Sequence, residues 1–431
     1  MLYLYVLMFL ALPLSARAQV PLSIRSGEAT LSLRAAIDEA MTANPTLVAL
    51  RRQFDAARLR PAQERFLMPP TFEAQIWQWP INTLNPLNTQ FYMFSLKQEL
   101  PGRGKRELRA AVADKDAEIA SNDIAVRARD VVAQIKRAYA DLYVNRKAIE
   151  VHEGSVDLLR QFADASVIKY SAGQSSQQDV LKAVVEVSKL HEELAMFEEG
   201  AQLAAAQLNT LLNRPPGAPV GPLEEPAETR LLPSAEDLQS RAFRAYPGLR
   251  GAELAIERAE ASLAVIDRAY KPDFAVGGGY MVMPRDHDAW TASIGITWPT
   301  ARWARGRLDA QKAEATAAIE ASRAEQQVME SQVLLAVQQA YIRVKSAEQR
   351  AALLRTSVIP QSRQTLEVSR VAYQANRGDL LVLIENQRMV LDSQLGYFRA
   401  VSDLEQARAE LEGALGEDLA PDMTLPVDGS R

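Results

Sequence analysis

The chain is written twice, and no other feature limits its fold as tightly. "AMTANPTLVAL" at 40–50 matches "AFRAYPGLRGA" at 242–252, so that Pro45 pairs with Pro247 at an offset of 202 residues. The same offset pairs Leu47 with Leu249, Ala57 with Ala259, Pro70 with Pro272, Phe72 with Phe274 and Ala138-Tyr139 with Ala340-Tyr341. Further on the offset becomes 203, pairing Tyr170 with Tyr373 and Leu212 with Leu415. A period of that length exceeds any solenoid unit, so it marks a duplicated domain. The copies span 31–215 and 235–418, joined by a Pro-rich linker at 216–234.

Each copy repeats one plan. A helix is expected over 31–67 and again over 235–270. Two β-type runs follow, bounded by prolines, giving strands at about 72–100 and 273–299. A very long helix then covers 105–170 and 306–373, and a shorter one ends at Leu212 and Leu415. At 1.5 Å per residue the long helices reach about 100 Å, deeper than a globular core. Their apolar residues fall in 4-3 spacing. In the first copy these are Ile124, Ala128, Val131, Ile135, Ala138, Leu142, Asn145, Ile149, His152, Val156, Leu159 and Ala163. In the second they are Val333, Val337, Ala340, Val344, Ala347, Ala351, Leu354, Val358, Gln361, Thr365, Val368 and Ala372. That is a coiled-coil seam, with Asn145, His152 and Gln361 as polar positions that fix register.

The β runs carry a different period. Trp290, Ala292, Ile294, Ile296 and Trp298 alternate with Thr291, Ser293, Gly295 and Thr297, one apolar face and one polar. Tryptophans at both ends of the apolar face suit a tilted strand of a membrane barrel. Four strands cannot close a barrel, and an open edge cannot sit in lipid. Strands that meet lipid here require several chains to share one barrel.

Composition narrows the function classes. With 431 residues and a net charge of −5, the chain has no nucleic-acid footprint. The absence of cysteine excludes disulfides, thiolate metal sites and a lipidated N-terminal Cys. Residues 1–18 read as a signal peptide ending in Ala16-Arg-Ala18, although no basic residue precedes the apolar run. An N-terminal extension (19–30) and a C-terminal tail (419–431) flank the copies. No other segment approaches 18 apolar residues, so no transmembrane helix is expected.

"QELPGRGKREL" at 98–108 looks like a phosphate cradle, but Glu99 and Arg106 stand where a P-loop needs a glycine and a hydroxyl. A proline ending a strand before a helix explains Pro101 better. Arg103, Lys105, Arg106, Arg302, Arg305 and Arg307 then gather at one rim, facing anionic headgroups or plain solvent. His152, His191 and His287 lack ligand spacing, and Met281 and Met283 read as strand packing. No catalytic residue, metal or cofactor is expected.

Together "ANPTL", "LPGRGKRELRA", "YSAGQSSQQDVLKA", "LNTLLNRP" and "LLVLIENQRMVLDSQLGYFRA" resemble the TolC-type outer-membrane efflux family over 31–418, its heavy-metal branch in particular. The resemblance implies a mainly α chain with a small membrane β part. It implies a homotrimer with a 12-stranded β-barrel in the outer membrane above a long periplasmic α-helical barrel. Trp77, Trp79, Trp290, Trp298 and Trp303 become membrane-interface aromatics. Ala172, Gly173, Gln174, Asn376, Arg377 and Gly378 become the periplasmic tip that meets an adaptor (a membrane fusion protein), and Asp179 and Glu385 candidate pore-lining acids. An inner-membrane RND-type pump supplies the substrate, metal ions on this reading. Organic compounds or secreted proteins are alternative traffic, and a soluble periplasmic coiled-coil scaffold is the rival from another class.

Overall fold

The computed structural model describes residues 30–78, 81–83, 85, 88–225 and 232–419. The expected signal peptide, nearly all of the N-terminal extension and the C-terminal tail, part of the linker, and Trp79 lie outside the described residues.

The expected first helix is broken in both copies. Helices α1 (Leu33–Ala43), α2 (Pro45–Ala57) and α3 (Arg60–Arg65) replace 31–67. Helices α6 (Ala235–Ala245) and α7 (Pro247–Ala269) replace 235–270. The cause is the repeated proline: it suits a first helical turn but pushes the residue before it out of the α region. Asn44 uses the break as a cap, its Oδ1 accepting from Thr46 N and Leu47 N at 3.0 and 3.3 Å, while its Nδ2 donates to Leu211 O at 2.9 Å.

Strands β1 (Thr71–Trp77), β2 (Phe91–Leu100), β3 (Asp273–Val282) and β4 (Ala289–Thr297) form one antiparallel sheet in sequence order. Its middle pair, β2 with β3, joins the two copies. β1 and β4 are its edges, with no partner strand on their outer sides among the described residues.

Helix α4 (Lys105–Ser171) is one rod of 67 residues, and α5 (Gln177–Leu211) returns along it. In the second copy α8 (Arg305–Leu353) passes into a π-helical turn over Leu354–Val358 and then α9 (Ile359–Gln374), before α10 (Leu380–Leu415). A π-turn absorbs one extra residue. That is the residue by which the offset grows from 202 at Ala340 to 203 at Tyr373. The expected seam is correct up to Ala351 and corrected beyond it. Gln361, Thr365 and Val368 face outward, Val368 at 65% exposure. Their neighbours Ser362 and Tyr373 are buried instead, and Leu366 packs against the core.

Three buried clusters result. Leu47, Val131, Ile135, Leu142, Leu208 and Leu212 fill one, and their counterparts Leu249, Val333, Val337, Val344, Leu411 and Leu415 fill another. Each fully buried leucine contributes about 1.5–3 kcal/mol. A third cluster unites α4 and α5 with α9 and α10, through Val156, Leu159, Phe162, Leu190, Tyr373, Leu383 and Leu391. This cluster holds the end that carries both helix-reversal turns.

Candidate functional site

The two reversals are built alike. Gly173 stands at φ 72° and Asn376 at φ 59°, the left-handed conformation that stops a helix. Ala172 caps α4. Gly173 N donates to Tyr170 O at 2.9 Å and Gln174 N to Lys169 O at 2.8 Å. Asn376 N and Arg377 N repeat the pattern onto Tyr373 O and Ala372 O at 3.2 and 2.9 Å. Gly378 folds back so closely that a Cβ there would lie 3.1 Å from Tyr373 N.

The candidate acids are placed differently from each other. Asp179 belongs to a capping box at the start of α5, its Oδ2 accepting from Ser176 N at 3.1 Å and its own N–H donating to Ser176 Oγ at 3.2 Å. Glu385 is exposed on α10, in a shallow groove with Val358, Arg388, Met389, Asp392 and Ser393.

Above the turns a polar set stitches the copies together. Lys169 Nζ lies 3.8 Å from the Tyr373 ring centroid and donates to Tyr373 O at 2.5 Å. Burial raises the Tyr373 phenol, and the Asp179 and Asp379 charges raise it further. Gln387 Nε2 donates to Ser155 Oγ at 3.3 Å. Arg388 on α10 pairs with Glu186 at 2.9 Å and with Glu193, both on α5. His152, fully buried, donates from Nδ1 to Ala148 O at 2.9 Å and bonds through Nε2 to Glu193 Oε2 at 3.0 Å. Burial pushes the Glu193 carboxyl up, but hydrogen bonds from His152 and Arg388 outweigh that and hold it below its usual 4.5. The sequence reading missed Arg388, Glu193 and Lys169. Tyr373 alone had a signal, its repeat at Tyr170.

At the other end, strand register sorts the sheet into two faces. Phe72, Ala74 and Ile76 align with Leu96, Phe94 and Tyr92, these with Gly278, Tyr280 and Val282, and Tyr280 and Gly278 with Trp290 and Ala292. Trp290 and Ile294 on this apolar face are 82% and 80% exposed. The opposite face carries Glu73, Gln75, Ser95, Lys97, Gly277, Gly279, Thr291 and Ser293. Trp77 is a correction: it alternates with Ile76 onto this polar face, stacked on Phe91 at 5.8 Å. Trp298 and Trp303 follow β4 and are exposed.

The "PGRGK" stretch is a joint between the copies. Asp273 Oδ1 accepts from Gly102 N at 2.7 Å and pairs with Lys105 Nζ at 2.8 Å. Lys105 is therefore buried, not part of the expected basic rim. Only glycine fits at 102, because a Cβ there would lie 2.5 Å from Pro272 O. Among the described residues no cluster of His, Cys, Asp and Glu could hold a metal ion, and no helix is long and apolar enough to cross a membrane.

A duplicated helix–hairpin–long helix–helix chain with an unclosed four-stranded sheet at one end and paired reversals at the other has the fold of the TolC-type outer-membrane channels. The outer-membrane channel OprN matches it with a TM-score of 0.75 over 89% of each chain, at 19% identity. The outer-membrane protein VceC of Vibrio cholerae matches with a TM-score of 0.73, over 90% of this chain and 96% of its own, at 18% identity. In sequence, the chain is 24% identical over 407 residues to the cobalt-zinc-cadmium resistance protein CzcC of Cupriavidus metallidurans, covering 93% of both. No family model matches the chain.

Proposed function

We propose that this protein is the outer-membrane channel of a tripartite efflux system, a passive duct from periplasm to exterior. The observation that carries this reading is the open sheet: one largely apolar exposed face interrupted by Gln98, an opposite face that carries the charged and hydroxyl side chains, and two outer edges that find no partner strand among the described residues. Edges cannot remain open in lipid, where each unpaired backbone group costs several kcal/mol, so three chains close a 12-stranded barrel. The long helices continue that barrel into the periplasm. Gly173, Asn376 and their neighbours form the end that docks a periplasmic adaptor, and an RND-type inner-membrane pump drives the traffic. The likeness to a cobalt-zinc-cadmium resistance protein supports divalent metal ions as cargo. Glu385 lines the narrowed pore in this arrangement, while Asp179 holds the tip turn that shapes it.

Deleting the gene should sensitise the host to cobalt, zinc and cadmium, and plasmid-borne protein should restore tolerance and fractionate as an outer-membrane trimer. Sensitisation to organic compounds with unchanged metal tolerance would transfer the duct to other cargo. A soluble periplasmic monomer would defeat the channel reading and favour a scaffold.

A further inference from the structure

We propose that the helix-bearing end of the sheet is a binding surface for anionic phospholipid headgroups. The proposal rests on the channel reading, because it needs the sheet in a membrane.

Three chain segments meet there. Asp273 joins the segment after β2 to the segment before β3, and Asp273 pairs in register with Thr297 at the end of β4. Residues 101–109 hold four basic residues and one acidic, 268–273 hold two and one, and 297–307 hold three and none. The opposite end of the sheet contrasts with this. The sequence at 78–90 has no charged residue, and 283–288 has one basic and two acidic. The excess is therefore a property of one end and not of the sheet.

Some of this charge is already used. Lys105 is spent inside the joint, Arg305 lies 3.6 Å from Asp309, and Arg65 pairs with Asp114 at 3.0 Å. Arg103, Lys271, Arg302 and Arg307 are exposed and hold no ion pair among the described residues. Beside them stand exposed apolar side chains. Phe66 is 75% and Trp303 91% exposed, with Leu67, Met68 and Trp298 also open. Gln98 Nε2 donates to Met68 O at 2.9 Å, which fixes the apolar stretch against the end of β2.

Exposed basic side chains attract phosphate oxygens through their charge, and open apolar groups next to them match acyl chain. Free phosphate offers only the first of these; a phospholipid offers both in the same order along the sheet axis. A basic residue near an anionic membrane contributes about fivefold in association.

The test uses the full chain in bilayers and reads tryptophan quenching by brominated lipids. Trp298 and Trp303 report the proposed rim. Brominated phosphatidylglycerol should quench at lower mole fraction than brominated phosphatidylcholine. In the Arg103→Gln, Arg302→Gln, Arg307→Gln variant the preference should fall about fivefold per charge removed, until the two lipids are equivalent. The matching Arg→Lys variant should keep most of it, which separates lost charge from misfolding. Inorganic phosphate should not compete. Equal preference in the native chain and the Gln variant overturns the proposal and leaves the channel reading standing. Failure of the chain to enter bilayers at all overturns both.

Discussion

The ammonium of Lys169, on the last turn of α4, sits 3.8 Å from the ring centroid of Tyr373 and donates to its carbonyl oxygen, on the last turn of α9. The contact ties the end of one copy to the end of the other, within a few residues of both left-handed stops. Removing the ammonium with Lys169→Met should cost about 1 kcal/mol locally. Backbone amides at 370–378 should then exchange with deuterium about fivefold faster, with the outer-membrane amount unchanged.

The stops themselves tolerate little. Gly173 has open space around a would-be Cβ, so crowding is not the obstacle; its φ of 72° is. A β-branched side chain resists that conformation by about 1–2 kcal/mol. Gly173→Val should leave the packed helices folded, since a local cost of that size is small beside their buried clusters, and on the proposed channel reading it should abolish efflux by distorting the turn. Cell fractionation together with a metal-tolerance assay checks both halves.

The two faces of β4 should respond differently to charge. Arg in place of Ile294 should cost about 2–4 kcal/mol in folding into bilayers, because that side chain points to the apolar face. Arg in place of Ser293, on the polar face, should be far milder. Folding yield into vesicles, followed by heat-modified electrophoretic mobility, compares the two.

Acid should loosen the joint between α5 and α10. The Glu193 carboxyl is held below its usual 4.5 despite its burial, by His152 and Arg388. A depressed carboxyl contributes stability that is present above the unfolded value and is lost as pH falls through the folded one. Protease accessibility of the α9–α10 hairpin should therefore rise below about pH 4.5, and Glu193→Gln should remove that acid step.

The π-turn yields a test of its own origin. Deleting Thr356 should convert Leu354–Val358 to ordinary α-helix while leaving Ser362, Leu366 and Tyr373 on the buried face. The offset to the first copy would become 202 throughout. Thermal stability should be equal to or above that of the parent; loss of the folded protein would show that the extra residue is required by packing.

The sequence by itself determined the duplication, the number and order of the strands, the left-handed stops, the length of α4 and the ends of α5 and α10. These follow from local chemistry: proline spacing, a period of two in 289–298, and glycine or asparagine where φ must be positive. It even carried the π-turn, as an offset that changes by one between Ala340 and Tyr373. Where that residue is absorbed was decided by packing, because only contact with α10 distinguishes Ser362, bonded to Ser393 at 3.1 Å, from its neighbour Gln361. The faces of the sheet were decided in the same way. Alternation already puts Trp77 and Ile76 on opposite sides of β1, but only pairing with β2 shows which residues share each side and puts Trp77 beside Phe91. Of the polar stitching of Arg388, Glu193 and His152, only His152 was legible in the sequence, as a polar position on the seam. Its members are up to 236 residues apart, from His152 to Arg388; the His152–Glu193 bond exists only once α4 and α5 pack together and the Arg388–Glu193 pair only once the two copies lie side by side, and no single helix encodes either contact in its local pattern.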